Sequence, residues 1–176
     1  MKITSGKFGG RKLIDNPYEH IRPTADVVKQ SIFNSLMDKL PNAVVLDLFC
    51  GTGALGIEAL SRGAKEVVFA DKDLRSVKLT RENLKKLGVN AKVINADFVA
   101  SLKMLKNIKF DIIILDPPYM SGLYEKALSL ISQYDLLNDE GIVVCEHEKS
   151  VEIDFLDYNI DKQKKYGIKV VTYLTK

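Results

Sequence analysis

Apolar and polar positions alternate along the chain in blocks that switch between two periods. Val44-Val45-Leu46-Asp47-Leu48 is a short, nearly continuous apolar run, as expected of a strand buried on both faces. Further runs of this kind are Val67 to Ala70, Lys92 to Ile94, Asp111 to Leu115 and Ile142 to Cys145. Between them the period lengthens. The sequence predicts helices over Ala54–Arg62, Asp73–Leu87, Val99–Leu105 and Leu123–Ser132. In the second of these, Leu74, Val77, Leu84 and Leu87 form the apolar stripe, and Gly63 and Gly88 act as helix stops. Strands spaced by helices of this length specify βαβ units and a parallel, doubly wound sheet.

Both ends depart from the alternation. Ile160 to Tyr166 and Ile168 to Leu174 are two β-prone runs joined across Gly167, with no room for a helix. They predict a terminal antiparallel hairpin, completing a seven-stranded, mostly parallel α/β sheet. Residues 1–22 hold Gly6, Gly9, Gly10 and Pro17 and predict a loop or small hairpin. Thr24 is placed to cap a helix from Ala25 to about Lys39, with Val27, Ile32, Phe33 and Leu36 on its apolar side and Pro41 at its end. The chain thus divides into an N-terminal extension, residues 1–40, and a Rossmann-like domain, residues 41–176.

With 176 residues, 46% hydrophobic and 28% charged, the chain is sized and composed for one packed core. Twenty-six Lys and Arg oppose 23 Asp and Glu, a net charge of only +3. The distribution says more. Residues 1–30 carry six basic side chains against three acidic, and residues 161–176 five against one, which leaves the middle acidic. Basic ends suit either a polyanion-facing surface or a solubilising one. Cys50 and Cys145 are too few for a disulfide scaffold, and neither they nor His20 and His147 stand at metal-ligand spacing. No metal is therefore expected. The N-terminus lacks a signal-like apolar core, and no apolar run approaches the ~20 residues that span a membrane. A cytoplasmic protein with reduced thiols is expected, with no membrane partner.

Asp47-Leu48-Phe49-Cys50-Gly51-Thr52-Gly53-Ala54-Leu55-Gly56 lies at a strand-to-helix junction, where ligands of open α/β sheets sit. Gly51-x-Gly53-x-x-Gly56 with Asp71 also satisfies a dinucleotide fingerprint. Two details favour a different adenosyl ligand. Asp47 puts a carboxylate under the turn, which an amino group can use and a pyrophosphate cannot. Asp97 supplies another acid after the third strand. Three acids and no base in the turn suit S-adenosylmethionine, with its ammonium, sulfonium and ribose hydroxyls. No Gly-Lys-Ser or Gly-Lys-Thr is present, which excludes a P-loop.

Asp116-Pro117-Pro118-Tyr119 follows the fourth strand directly. The two prolines remove two backbone donors and stiffen the segment. They leave the Pro117 carbonyl and the Asp116 carboxylate as acceptors, with Tyr119 as a stacking face. An exocyclic amine on a nucleobase offers two N–H donors to such a pair. Methylation at a pyrimidine carbon needs a thiolate instead, and the tetrapeptide has no cysteine beside it. Cys50 reads as packing in the turn, Cys145 as core, and both histidines as bystanders, with His147 the nearer to the cleft.

These features resemble a class I S-adenosylmethionine-dependent methyltransferase with an amino-methylating DPPY motif, and more narrowly the RsmD family of 16S ribosomal RNA guanine-N2 methyltransferases. The resemblance covers nearly the whole chain. It rests on Gly6-x-x-Gly9-Gly10-Arg11-Lys12-Leu13, on Arg22-Pro23-Thr24-Ala25-Asp26-x-Val28 through Phe33-Asn34, on Asp47 through Ala64, on Asp116 to Tyr119 and on Lys165-Tyr166-Gly167. It implies that Asp47, Phe49, Gly51, Thr52 and Gly53 bind the cofactor with Asp71 on the ribose and Asp97 and Phe98 on the adenine. S-adenosylhomocysteine would be the product. Asp116, Pro117, Pro118 and Tyr119 would hold a flipped guanine. Lys7, Arg11, Lys12 and Arg22 would meet RNA phosphates of 16S rRNA or the small ribosomal subunit, and the protein would act as a monomer. Lys-Tyr-Gly-Ile stands where the family pattern has Arg-Tyr-Gly and a small polar residue, which weakens an RNA contact there. An adenine-N6 methyltransferase of DNA or RNA shares the cofactor and the tetrapeptide, but such enzymes usually carry a recognition insertion that this chain has no room for. A nicotinamide oxidoreductase would use Gly51 to Gly56 for a pyrophosphate, and a non-catalytic Rossmann-like binding protein would have no need of acceptors at Asp116.

Overall fold

The computed structural model of the protein describes residues 1–15, 23–118 and 122–176. Five helices, α1 (Pro23–Ser35), α2 (Ala54–Ser61), α3 (Leu74–Leu87), α4 (Phe98–Met104) and α5 (Leu123–Gln133), alternate with strands. The strands are β1 (Val44–Asp47), β2 (Glu66–Asp71), β3 (Lys92–Asn95), β4 (Phe110–Leu115), β5 (Leu137–Glu148), β6 (Asn159–Tyr166) and β7 (Lys169–Thr175). They form one seven-stranded sheet in the order β3-β2-β1-β4-β5-β7-β6. Strands β1 to β5 pair in parallel, and β7 pairs antiparallel with β5 and β6, as the terminal hairpin predicts.

The central strands are apolar on both faces because helices cover both. Val45, Phe69, Ile112, Ile114 and Val144 face a layer made by α1, α2 and α3. Their neighbours Leu46, Ala70, Ile113, Leu115 and Cys145 face α4 and α5. The N-terminal segment joins the first layer. A bridge between Lys2 and Lys12 closes a small antiparallel turn, and Ile3, Phe8 and Leu13 are buried in the same cluster as α1 and the sheet.

That segment is pinned to α2. Glu58 is completely buried in the helix and accepts from Thr4 N at 2.8 Å, Thr4 Oγ1 at 2.6 Å, Ser5 N at 3.1 Å and Arg62 Nε at 2.8 Å. Lys29 Nζ of α1, also buried, stands 3.8 Å away. A buried carboxylate is tolerated when donors surround it in this way. Gly6 makes the close approach possible: at φ 81° its Cα faces the end of α2, and a Cβ there would lie 1.8 Å from Ser61 O.

Several boundaries differ from expectation. α1 begins at Pro23, whose missing N–H is no loss in a first turn, so Thr24 lies inside the helix and not before it. It ends at Ser35, four residues short of Lys39. Its inward face carries Val28, whereas Val27 is 58% exposed. Leu74 opens α3 at 49% exposure and so leaves the apolar stripe, while Val77, Leu84 and Leu87 keep it. β5 is much longer than its apolar middle. The register shift against β4 lets it absorb the polar Asn138 to Glu140, and pairing with β7 carries it on through Glu146, His147 and Glu148. Pro17, His20 and Arg22 lie outside the described residues.

Candidate active site

The strand order reverses between β1 and β4, which lie side by side in register from Val45↔Ile112 to Asp47↔Ile114. Ligands of open α/β sheets bind outside the carboxyl ends at such a reversal. Two segments leave the sheet there: the glycine turn after Asp47, and Asp116-Pro117-Pro118 after Leu115. Leu48 N donates to Ile114 O at 3.2 Å, so the two exits run beside each other. Asp116 is half-buried, Pro117 buried and Pro118 exposed. Tyr119 lies outside the described residues.

The turn is built by the residues beneath it. Asp47 is 2% exposed, and its Oδ2 accepts from Gly56 N at 2.9 Å, tying the strand end to the first turn of α2. Burial pushes its pKa up to about 7; the Gly56 N–H pulls it back and the nearby Asp71 pushes it further. No ion pair among the described residues neutralises it. Asp71 ends β2 and accepts from Gly51 N at 2.9 Å and from Asp73 N at 2.8 Å, so both oxygens already organise backbone. Gly53 sits at φ 80°, and a Cβ on it would lie 2.9 Å from Thr80 Cγ2, so α3 presses directly on the turn. Thr52 is buried and Gly51 half-buried.

On the adjoining strand end, Asp97 is exposed and caps α4, accepting from Ala100 N at 2.9 Å. Phe98 follows it and packs on Phe49 of the turn, with ring centroids 5.7 Å apart and tilted by 44°. Lys126 Nζ of α5 lies 5.8 Å from the Phe98 ring. The turn, Asp71, Asp97, the Phe49–Phe98 pair and Asp116 therefore rise from the carboxyl ends of four neighbouring strands.

The basic residues Lys7, Arg11 and Lys12 lie on the N-terminal segment held against α2 and α3. Lys7 and Arg11 flank the Phe8 ring at 4.8 and 5.4 Å, and Lys12 is exposed beside them. Both cysteines are buried, which raises their thiol pKa well above the usual value and leaves no thiolate for nucleophilic work. His147 is buried between Tyr124 and Phe155. Its Nδ1 is 3.0 Å from Glu148 O and therefore donates, leaving Nε2 to accept from Thr172 Oγ1 at 3.1 Å. Burial holds its pKa below the ordinary value, so the ring fastens β5 to β7 as a neutral group.

Sequence reasoning missed the supports. Thr80 Oγ1 donates to Gly51 O at 2.9 Å, and Asn83 Nδ2 donates to Thr52 O at 3.0 Å. Both side chains are fully buried. The signal was present: Thr80 and Asn83 fall within the apolar stripe of an amphipathic helix, where a polar residue needs a partner.

A buried acid with no cation beside it, in a turn without Lys or Arg, fits a positively charged ligand group such as the ammonium of S-adenosylmethionine. Doubly wound topology, switch-point turn and acid set together define a class I S-adenosylmethionine-dependent methyltransferase. Comparison narrows this. The model of the family described as conserved hypothetical protein 95 matches residues 1–175, and the chain belongs to that family, the RsmD family. The ribosomal RNA small subunit methyltransferase D of Haemophilus influenzae is 37% identical over 173 residues, covering 96% of this chain and 90% of its own. The solved structure of YhhF from Escherichia coli superposes with a TM-score of 0.89 at 30% identity, covering 100% of this chain and 98% of that one. The fold is shared, at 21% identity and a TM-score of 0.73, with the Thermus thermophilus 16S rRNA N2 methyltransferase RsmC, over 91% of this chain and 44% of that one.

Proposed function

We propose that the protein transfers a methyl group from S-adenosylmethionine to the exocyclic N2 amine of a guanine in 16S ribosomal RNA, within the assembled small subunit. The observation that carries this reading is Asp116-Pro117-Pro118 leaving β4 beside the glycine turn at the sheet's switch point. S-adenosylmethionine supplies an electrophilic methyl group on its sulfonium. Asp47 takes the ammonium, with Gly51, Thr52 and Gly53 shaping the turn around the methionine part. Asp71 takes the ribose hydroxyls, and Asp97, Phe98 and Phe49 flank the adenine.

The Asp116 carboxylate and the Pro117 carbonyl accept the two amine hydrogens. Held this way, the nitrogen lone pair would turn out of conjugation and toward the methyl group; as the N–C bond formed, the C–S bond would break and S-adenosylhomocysteine would leave, while Asp116 would offset the positive charge on the amine and take its surplus proton on to solvent. Tyr119 stacks on the base. Positioning and fixed charge supply the rate, with no metal required. Lys7, Arg11, Lys12 and Arg22 of the extension, residues 1–40, meet RNA phosphates, while residues 41–176 perform the transfer. The protein works as a cytoplasmic monomer.

Nucleoside analysis of 16S RNA from cells lacking the gene tests this reading. One N2-methylguanosine fewer, restored by the wild-type gene and not by Asp116→Ala, is the expected result. An unchanged N2-methylguanosine content contradicts it.

A further inference from the structure

Three polar side chains run along one side of α3 at positions i, i+3 and i+6. Thr80 Oγ1 holds Gly51 O of the glycine turn at 2.9 Å. Asn83, fully buried, uses both amide hydrogens: one on Thr52 O at 3.0 Å and one on Ile14 O at 3.1 Å. Its Oδ1 accepts from Ile14 N at 2.7 Å, so it grips both polar groups of one residue. Lys86 Nζ donates to Lys12 O at 2.8 Å. The helix therefore holds the cofactor turn with one end of this row and the basic N-terminal segment with the other. Asn83 touches both at once.

A primary amide has two donors, and both are in use. If the turn shifts, Thr52 O leaves a buried donor without an acceptor. If residues 12–14 shift, Ile14 leaves two groups without partners. Each segment is best held when the other is in place. We propose that Asn83 is a positioning residue that makes binding of RNA at the N-terminal segment and binding of S-adenosylmethionine at the glycine turn mutually favourable. This rests on the reading of the basic segment as an RNA contact.

Linkage makes such coupling reciprocal and measurable in a cycle. The probes are S-adenosylhomocysteine, which does not react, and small ribosomal subunits from cells lacking the gene. Each Kd is measured with and without the other probe. For the wild type, each probe should tighten the other by about tenfold, within the usual range of such couplings. Asn83→Asp keeps an acceptor for Ile14 N and loses both donors, so the coupling factor should fall to about 1. Lys86→Ala removes one exposed tether without touching the buried core, and should lower the factor to about threefold even if the Asn83 variant does not fold.

A wild-type factor of 1 overturns the proposal. So does a wild-type factor that both variants retain. If the wild type binds S-adenosylhomocysteine but neither subunits nor 16S RNA, the RNA reading itself fails and the coupling fails with it. The first two results leave that reading standing.

Discussion

Asp47 sits beneath the glycine turn almost without solvent contact, with a pKa pushed up to about 7. An ammonium binds the ionised carboxylate and not the acid. With Asp47 on the cofactor's ammonium, as proposed, binding below pH 7 should expel a proton. Linkage raises the apparent Kd by the factor 1 + 10^(pKa − pH), about 11 at pH 6 and about 1.1 at pH 8. Asp47→Asn removes the charge altogether. Truncating one partner of a buried charge pair costs about 2–5 kcal/mol, so this variant should bind S-adenosylmethionine at least about 30-fold more weakly at pH 8. At pH 6 most of the wild-type carboxyl is already neutral, and the gap should shrink by about tenfold. The ligand's own amine titrates identically in both proteins and cancels in the ratio. Isothermal titration calorimetry at pH 6, 7 and 8 reads this directly. A ratio that stays constant across that range would refute the assignment of Asp47 to a cationic group. The free protein should respond in the opposite sense. Aspartate in the unfolded chain titrates near 3.8, so the stability that Asp47 contributes is fully present below that pH and is lost as pH rises through about 7.

Other residues give independent tests. Asp116→Ala should lower turnover by on the order of 10²–10³, as loss of one preorganised group does, with S-adenosylmethionine affinity nearly unchanged; a collapse of cofactor binding would make Asp116 a structural residue. Arg11→Ala combined with Lys12→Ala should weaken RNA binding and lower the slope of log K against log salt by about 1.5, read by filter binding from low to moderate salt. Glu58→Ala removes the shared acceptor of four part-buried donors and one of the carboxylates beside buried Lys29, and should cost about 3 kcal/mol, or roughly 6–12 °C in thermal midpoint by scanning calorimetry. A shift under about 2 °C would mean that the N-terminal segment is held by its other contacts and does not need Glu58.

The alternation of apolar runs and amphipathic stretches is enough to place all seven strands, while their order in the sheet comes from the structure. It worked because the buried strands are too apolar to lie anywhere but between two helical layers. Boundaries were harder. Val27 and Val28 are adjacent and equally apolar, and only the helix's rotation against Ile32 and Phe33 decides which points inward. The polar stretch Asn138 to Glu140 resembles a turn, yet it stays in β5 because the sheet accommodates a register shift. The acids of the site stood out in the sequence through their places at strand ends. Their local duties did not. Asp71 and Asp97 each bind backbone N–H groups before any ligand arrives, a consequence of loop conformation that spacing does not encode. The grip of Asn83 on Ile14 joins residues 69 apart in the chain, and only folding brings them together.

Everything proposed for the site converges on amine methylation of a guanine in small-subunit RNA. The most direct measurement incubates the purified protein with methyl-labelled S-adenosylmethionine and, separately, unmodified small ribosomal subunits, free 16S RNA and adenine-rich duplex DNA, then identifies the labelled nucleoside. Label should appear as N2-methylguanosine, with subunits the best substrate. Label as N6-methyladenine, or transfer to DNA and not to RNA, would contradict it while leaving the fold and the cofactor in place.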